Sequence, residues 1–242
     1  MDRKIAIPGE VIFKGEDYLP GEGTEKRGDE IVSLRFGLVE EVKNLVKVIP
    51  LSGVYQPRRG NVVIGKVEMI TFNGWVIDIN TAENAFLSLM EVPRYVNKDD
   101  LKEVMDIGDM VVAKIYSVNK RGTDLTLQAN GLGKLEKGII MNVNPNKVPR
   151  VIGKEGSMIS LIKDETKCRI TVGQNGFIWI GGDKIDNELF AKKAILYIAE
   201  NSLMSGLTDG MKDWFNREKK IWVNLNDQME EKLTNLEKSL QK

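Results

Sequence analysis

The apolar stretches of this chain are short, and glycine or proline separates most of them. Four of them lie in the first 55 residues, at 5–7, 11–13, 31–36 and 42–49. Short runs between turn-forming residues are typical of strands in small sheets. With 242 residues, the chain also exceeds the roughly 100 to 200 residues of one domain. We therefore expect an α+β multidomain protein that is rich in β-structure.

The N-terminal part, residues 1–56, is predicted to be a small β domain that docks on a partner. It carries 8 basic and 10 acidic residues, and this net charge of −2 makes it a poor platform for a polyanion. The segment Pro20-Gly21-Glu22-Gly23-Thr24 combines two glycines with a proline, which favours a structural turn over a phosphate-binding loop.

Residues 57–130 are predicted to form a five-stranded barrel of the oligonucleotide-binding (OB) kind, with one helical turn. The candidate strands are 61–70, 74–80, 84–89, 109–118 and 123–128. In the fourth strand, apolar residues alternate with a period of two, which places Lys114 on the wetter face. The turn that ends at Gly122 predicts a hairpin between the last two strands. Five short strands with such turns fit a small closed barrel.

The order of elements changes in residues 134–204. The predicted elements are a strand at 138–143, a loop with two prolines, a glycine loop, a helix at 157–165, strands at 168–172 and 177–180, and a helix at 184–202. This β-α-α-β-β-α order is that of a KH domain. In the last helix Phe190, Ala194, Tyr197 and Ile198 form one apolar stripe, which we expect to face a sheet.

The glycine loop Gly153-Lys154-Glu155-Gly156, hereafter the clamp loop, is the strongest candidate for RNA binding. Two glycines three positions apart let a sugar-phosphate backbone approach, and the next helix would present its N-terminal amides to phosphate. Residues 134–169 hold 8 basic and 4 acidic residues. Arg150 and Lys154 are the predicted phosphate contacts, whereas Glu155 opposes them and predicts weak binding by this loop alone. The alternative is a solvated surface with a chance excess of cations.

Further candidate RNA contacts lie on the predicted barrel. They are Lys66, Phe72, Trp75, Lys114, Lys120 and Arg121. Aromatic faces stack on bases, while cationic side chains follow the phosphates. Trp75 shares a strand face with Ile77 and Ile79, so packing in the core is the alternative for this residue.

Two other segments have structural predictions. Gly173-Gln174-Asn175-Gly176 lies between two strand-like runs and predicts a hairpin turn, with Trp179 anchoring the KH sheet. Residues 205–242 are predicted to be a helical tail. Its apolar residues Met229, Leu233, Leu236 and Leu240 fit contact between copies, partner docking or capping of the preceding domain equally well.

Histidine is absent from the chain, which excludes the catalytic arrangements that depend on it. Acid-based metal catalysis would need converging carboxylates, and no acidic motif has a recognisable spacing. We therefore expect no catalytic residue, no metal and no cofactor. The lone Cys168 excludes an internal disulfide, and no apolar run is long enough for a membrane span. The chain is expected to be a soluble cytoplasmic protein without membrane contact.

Specific motifs extend over about residues 5–200. They are Pro8-Gly9, Tyr18-Leu19-Pro20-Gly21-Glu22-Gly23-Thr24, Ser52-Gly53-Val54-Tyr55-Gln56-Pro57, the clamp loop and Gly173-Gln174-Asn175-Gly176. With the order of the domains, they resemble the S1- and KH-domain cap subunit of the archaeal RNA exosome.

The resemblance implies RNA binding without chemistry in this subunit. Three copies would sit on a hexameric phosphorolytic exoribonuclease ring, alone or mixed with another cap subunit. The N-terminal domain would dock on the ring and the S1-type barrels would surround its entry pore. Single-stranded RNA, with a preference for adenine-rich 3′ ends, would be passed to the ring for degradation and tailing.

Three other functions are compatible with parts of this sequence. Transcription elongation or antitermination factors also place an S1-type barrel before KH modules, but they typically carry two KH units. Some phosphorolytic exoribonucleases append both domains to a catalytic core, in the opposite order, and no residues are left here for such a core. The third alternative is a structural scaffold protein in which the RNA-binding motifs do not bind RNA.

Overall fold

The computed structural model describes residues 4–94, 96, 97, 100–202, 204 and 206–218. The chain is an α+β protein, as predicted, and divides into two compact units. Unit 1 comprises residues 1–149 and 170–181, and unit 2 comprises residues 150–169 and 182–242. No helix within these described ranges is long and apolar enough to cross a membrane. The domain boundaries at 56/57, 130/134 and 204/205 stay predictions.

Seven short strands form the N-terminal part of unit 1. They are β1 (Ile5–Ala6), β2 (Val11–Lys14), β3 (Leu19–Pro20), β4 (Thr24–Arg27), β5 (Glu30–Ser33), β6 (Gly37–Val42) and β7 (Leu45–Pro50). They pair as two sheets, in the orders β1-β6-β7-β3 and β2-β5-β4. The turn before β4 packs on β7, since a Cβ on Gly21 would lie 2.9 Å from the carbonyl oxygen of Val46. The buried Thr24 hydroxyl donates to the same oxygen at 2.9 Å. This segment is therefore a structural turn, as predicted.

The barrel closes as predicted from five strands. They are β8 (Val62–Thr71), β9 (Gly74–Asp78), β10 (Ala85–Ser88), β11 (Met110–Asn119) and β12 (Gly122–Thr126), with α1 (Leu101–Val104) before β11. Closure follows because β12 pairs with both β10 and β11. Val111, Ala113 and Ile115 point into the apolar interior, so the period of two in β11 was predicted correctly. The short strand β13 (Gly133–Lys134) pairs with the start of β11.

The predicted β-α-α-β-β-α order is confirmed. The elements are β14 (Ile139–Asn142), α2 (Val148–Ile152), α3 (Ser157–Thr166), β15 (Arg169–Val172), β16 (Phe177–Gly181) and α4 (Ile185–Glu200). The strands form a sheet in the order β14-β16-β15. Trp179 of β16 packs with Ile64 and Val112 on the outside of the barrel, so it anchors more than its own sheet.

Gly173-Gln174-Asn175-Gly176 forms the β15–β16 turn and also binds the barrel, and we call it the joining turn. Asn175 is fully buried, and its Nδ2 donates to the carbonyl oxygens of Ile64 and Ile79 at 2.7 and 2.9 Å. Its Oδ1 accepts from the backbone amide of Ile64 at 3.2 Å. Gln174 adds two hydrogen bonds to the backbone of Val62. The predicted hairpin turn is present, and its contact with β8 is an additional finding.

In unit 2 a further helix begins at residue 207 and is described as far as 218. Its Trp214 stacks on Phe190 and Tyr197 of α4, with ring centroids 5.8 and 5.3 Å apart. The aromatic part of the predicted α4 stripe therefore faces this helix rather than a sheet, while Ala194 and Ile198 are fully buried. The apolar face of residues 207–218 thus packs against α4. Met229, Leu233, Leu236 and Leu240 lie outside the described residues.

Candidate RNA-binding surfaces

The β8–β9 turn holds Phe72 out into solvent. The side chain of Phe72 is 78% exposed. The Thr71 hydroxyl closes the turn by donating to the carbonyl oxygen of Gly74, 2.9 Å away. A side chain at position 74 is excluded, because a Cβ there would collide with the carbonyl oxygen of Leu87. The ring is therefore presented by a fixed turn, and its free face can stack on a base.

The apolar neighbours of Phe72 were not predicted from the sequence. Met69, Val76 and Phe86 lie side by side across β8, β9 and β10 and point out of the barrel. Met69 is 56% exposed, and the Phe86 ring reaches the turn, 3.1 Å from where a Cβ on Gly74 would lie. We call these four residues the stacking strip. The signal for Phe86 was its alternation with the buried Ala85 and Leu87.

Trp75 is a core residue, and its assignment as an RNA contact is wrong. Its side chain is fully buried in the barrel interior. The indole Nε1 donates to the carbonyl oxygen of Met105 at 2.9 Å, so its only polar atom is satisfied inside the barrel. Trp75 is the alternate neighbour of the outward Val76 on β9, and for this reason it points inward.

The cations on the barrel lie at two kinds of place. Lys120 and Arg121 are both exposed in the β11–β12 turn, where Asn119 Oδ1 accepts from the Arg121 amide at 2.8 Å. The β8–β9 and β11–β12 turns are the loops with which OB-folds commonly bind oligonucleotides. These residues therefore stay candidates for phosphate contact.

Lys66 and Lys114 are exposed on the outer face of the β8–β11 ladder. Lys66 lies opposite Met110, and Lys114 lies opposite Val62, four residues earlier on β8. The two lysines are thus roughly 13 Å apart along the ladder. Ile64 and Val112, which contact Trp179, lie between them. They are two separate cations rather than one groove.

The clamp loop has the backbone that close approach of a phosphate chain requires. Gly153 has φ +76° and Gly156 has φ +80°, both in the left-handed region. A Cβ on Gly153 would lie 2.7 Å from the Cβ of Met158, whereas a Cβ on Gly156 would meet nothing closer than 3.9 Å. Gly153 is therefore required by packing, and Gly156 borders open space. A phosphate could approach the loop from the side of Gly156.

The clamp loop and its flank carry two basic side chains and one acidic side chain. Arg150, Lys154 and Glu155 are all exposed, and Glu155 itself has φ +53°. Helix α3 begins at Ser157, so the positive end of its dipole faces the loop. Lys163 and Lys167 lie at the opposite end of α3, roughly 15 Å away for ten residues. The local excess of cations predicted for 134–169 is thus spread out, and only two basic residues flank the glycines.

Other ionisable groups take part in ion pairs or are buried, and their surroundings do not favour catalysis. Lys134 bridges Asp109 at 2.5 Å, and this hydrogen bond lowers the pKa of Asp109. Burial raises the pKa of the Cys168 thiol, which makes it a poor nucleophile at neutral pH. Within the described ranges, no three His, Cys, Asp or Glu side chains come together in a way that could hold a metal.

Three parts of the chain match described families. Residues 5–42 match the N-terminal region of the exosome complex exonuclease RRP4, residues 54–100 match the RRP4 S1 domain, and residues 138–186 match the KH domain.

Whole-chain comparisons agree with these matches. The exosome complex component Rrp4 of Methanobrevibacter smithii is 40% identical over 213 residues, which cover 88% of this chain and 70% of the relative. The Rrp4 of Methanothermus fervidus is 41% identical over 217 residues, which cover 89% of this chain and 96% of the relative. A crystal structure assigned provisionally to an exosome complex RNA-binding protein has a TM-score of 0.63 and 36% identity, and the match covers 70% of this chain and 99% of that one.

Proposed function

Because the chain belongs to the Rrp4 family of exosome complex components, we propose that it is a non-catalytic, RNA-binding cap subunit. It captures single-stranded RNA and passes it to a hexameric phosphorolytic 3′-to-5′ exoribonuclease ring, which degrades or tails it. Three copies occupy a ring, alone or mixed with another cap subunit. The observation that carries this proposal is the clamp loop, whose left-handed Gly156 opens to solvent beside Lys154 and the start of α3.

Three groups of residues make different contacts with the RNA. Arg150 and Lys154 bind phosphates at the clamp loop, where Gly156 lets the RNA backbone approach. Phe72 and the rest of the stacking strip stack on bases. Lys66, Lys114, Lys120 and Arg121 follow the phosphates along the barrel. Glu155 limits the affinity of the clamp loop, which suits a subunit that guides RNA rather than one that retains it.

The N-terminal domain docks the subunit on the ring. Its apolar side chains support this role, because Ile7 and Leu19 are each 57% exposed and Val42 is 49% exposed. Leu19, Leu45 and Val42 are direct neighbours across β3, β7 and β6, so they form one exposed apolar patch of the kind that marks a protein interface. Relatives named as exosome components favour this partner over the RNA polymerase that a transcription factor would bind. Purification from source cells distinguishes the two partners.

Two finer parts of the proposal have their own measurements. Adenine has a large stacking face, so a surface that binds by stacking favours A-rich 3′ ends. Competition between A-rich and U-rich oligonucleotides measures this preference. The absence of histidine supports a subunit without chemistry of its own. The isolated chain should therefore release no nucleoside diphosphates from RNA in phosphate buffer.

The clamp assignment is tested by the double variant Lys154→Asp with Glu155→Asp. Both glycines are kept, because a side chain at position 153 would collide with Met158. We expect RNA affinity to fall roughly tenfold and the salt dependence to lose about one phosphate contact, a slope change of about 0.7. Lys163→Asp is the matched control, with the same change of charge at the far end of α3. Equal binding by the double variant and the wild type would disprove the clamp assignment.

A further inference from the structure

A polar cleft lies in unit 1, lined by the end of β7, the segment that follows it and the loop after β14. Its volume is about 360 Å³. A second hollow of about 290 Å³ adjoins it, because Arg35, Pro50, Val54, Gln56 and Asn146 line both. We call the two together the junction cleft. Its size is in the range of pockets that hold small ligands.

Cations dominate the charge of the junction cleft. Arg35, Lys47 and Arg58 line it, against the single carboxylate of Glu22. Lys47 is paired with Glu40 at 2.7 Å, and Arg58 with Glu22 at 2.5 Å.

The guanidinium of Arg35 differs from these paired cations. Arg35 is half-buried, yet its side chain has no hydrogen-bond or ion-pair partner among the residues that the structure describes. A guanidinium that is partly withdrawn from water and unpaired favours an anionic ligand, and its planar fork suits phosphate in particular. The cleft therefore presents one cation, Arg35, that is unpaired among the described residues and lines both hollows.

The neighbours of Arg35 provide the other contacts that a nucleotide needs. Phe36 lines the second hollow, and its side chain is 42% exposed, so one ring face is open for stacking. The side-chain amides of Gln56 and Asn146 have no hydrogen-bond partner within the described part of the chain, and each can donate to and accept from a base edge. Tyr55 lines the larger hollow, held by a 2.8 Å hydrogen bond from its hydroxyl to Asn61 Oδ1.

We propose that the junction cleft binds one nucleotide of single-stranded RNA, with its phosphate on Arg35 and its base stacked on Phe36. Gln56 and Asn146 contact the edge of the base. This inference rests on the proposed function and adds a fourth group of RNA contacts, next to the N-terminal sheets, whose net negative charge had argued against such a role. An acidic peptide could also pair with Arg35, but it would leave the Phe36 ring and the two amides without a use.

Binding of a single-stranded RNA oligonucleotide to the full chain tests the proposal. Arg35→Ala should weaken binding at least about fivefold and lower the salt slope by about 0.7, the contribution of one phosphate. Arg35→Lys should retain that slope. Phe36→Ala should weaken binding at least about fivefold with the slope unchanged, because stacking involves no counterion release. The matched control is Arg59→Ala, since Arg59 is exposed nearby and does not line the cleft.

A photoreactive thiouridine oligonucleotide supplies a second readout, in which the crosslinked peptide should contain Phe36. Wild-type affinity in Arg35→Ala and Phe36→Ala, with folding intact by circular dichroism, would overturn the inference and leave the proposed function standing. Retained RNA affinity with weakened ring association would overturn it too, and would make the cleft a protein contact. Failure of the wild type to bind RNA, alone and on the ring, would instead refute the proposed function.

Discussion

At the scale of single residues, the clamp loop combines two glycines that do different work. Gly153 lets the loop pass over Met158, and Gly156 leaves room for a ligand. Between them, Glu155 occupies a left-handed conformation that costs a non-glycine residue about 1 kcal/mol or more. It also places an exposed carboxylate beside the proposed path of the phosphates. We therefore expect the charge of Glu155, as well as the two glycines, to limit how strongly this loop binds RNA.

Substitution of Glu155 by lysine should strengthen RNA binding. The variant replaces a repulsive charge with an attractive one at the same exposed position, so we expect about fivefold tighter binding and a salt slope larger by about 0.7. Glu155→Gln only removes the charge, so its RNA affinity should lie between those of the wild type and Glu155→Lys. A fluorescence anisotropy titration at several salt concentrations measures both quantities. Unchanged binding by Glu155→Lys would mean that RNA does not pass this loop.

Tyr55 should make stability depend on pH in the alkaline range. Burial raises the pKa of its hydroxyl from 10.0 to about 12. Between these values the unfolded chain releases the proton and the folded chain retains it, so the free energy of unfolding falls as the pH rises. Below about pH 10 this contribution is fully present.

Denaturant unfolding at about pH 9 and about pH 11 measures the effect. Tyr55→Phe should lose less stability than the wild type over that interval, since only the wild type has the titrating hydroxyl. The other tyrosines titrate in both proteins and cancel in the comparison. An identical loss in the two would show that Tyr55 does not contribute.

Phe72 and Trp75 show where prediction from the sequence ends at this scale. Both residues lie beside the same hairpin turn. Because both are aromatic, residue type alone makes each of them a candidate for stacking on a base. The period of two on β9 favoured burial of Trp75, but the outward direction of Phe72 depends on the turn closed by Thr71 and Gly74. Alternation could be predicted from the sequence, whereas the geometry of the turn could not.

At the scale of elements, the joining turn connects a KH strand pair to the barrel through side-chain amides. Its pattern predicted a hairpin correctly because asparagine and glycine favour such turns locally. Its partners Ile64 and Ile79 lie 111 and 96 residues away in the chain. No local pattern encodes contacts of that range, so these hydrogen bonds could not be predicted from the sequence. The strand and helix order was predicted for the opposite reason, since periodicity is a local property.

Asn175→Ala should destabilise unit 1 strongly. It removes three hydrogen bonds and leaves buried backbone groups of Ile64 and Ile79 without those partners, which costs roughly 3 kcal/mol in all. Gln174→Ala is the matched control and should cost about 1 kcal/mol, because it loses one side-chain hydrogen bond. Chemical denaturation followed by tryptophan fluorescence compares the two. Equal stability of the variants would contradict the role assigned to Asn175.

At the scale of the whole molecule, weak individual RNA contacts are compatible with efficient capture. A chain with 35 basic and 35 acidic residues has no net charge to attract RNA from a distance. Several weak sites on one assembly raise the effective concentration of the RNA at each of them. The proposed subunit would therefore depend on the ring, both for its position and for its affinity.

The assembled cap and ring should bind a long single-stranded RNA at least about 100-fold more tightly than the isolated subunit. Leu19→Glu places a charge on an exposed apolar residue of the N-terminal domain, and it should remove ring association and this gain together. RNA binding by the isolated subunit should be unaffected, which serves as the control. Equal affinity of the isolated and assembled forms would refute the avidity argument.

The joining turn also predicts which substitutions the barrel can accept. Asn175 binds peptide groups of Ile64 and Ile79, and these groups are the same for every residue type except the amide of proline. These hydrogen bonds can therefore persist when an apolar residue of similar volume replaces Ile64 or Ile79, whose side chains are both fully buried. The turn has no such freedom, because no other side chain of this size both donates and accepts through an amide. Saturation mutagenesis should thus find that position 175 tolerates asparagine alone, whereas positions 64 and 79 tolerate apolar residues of similar volume.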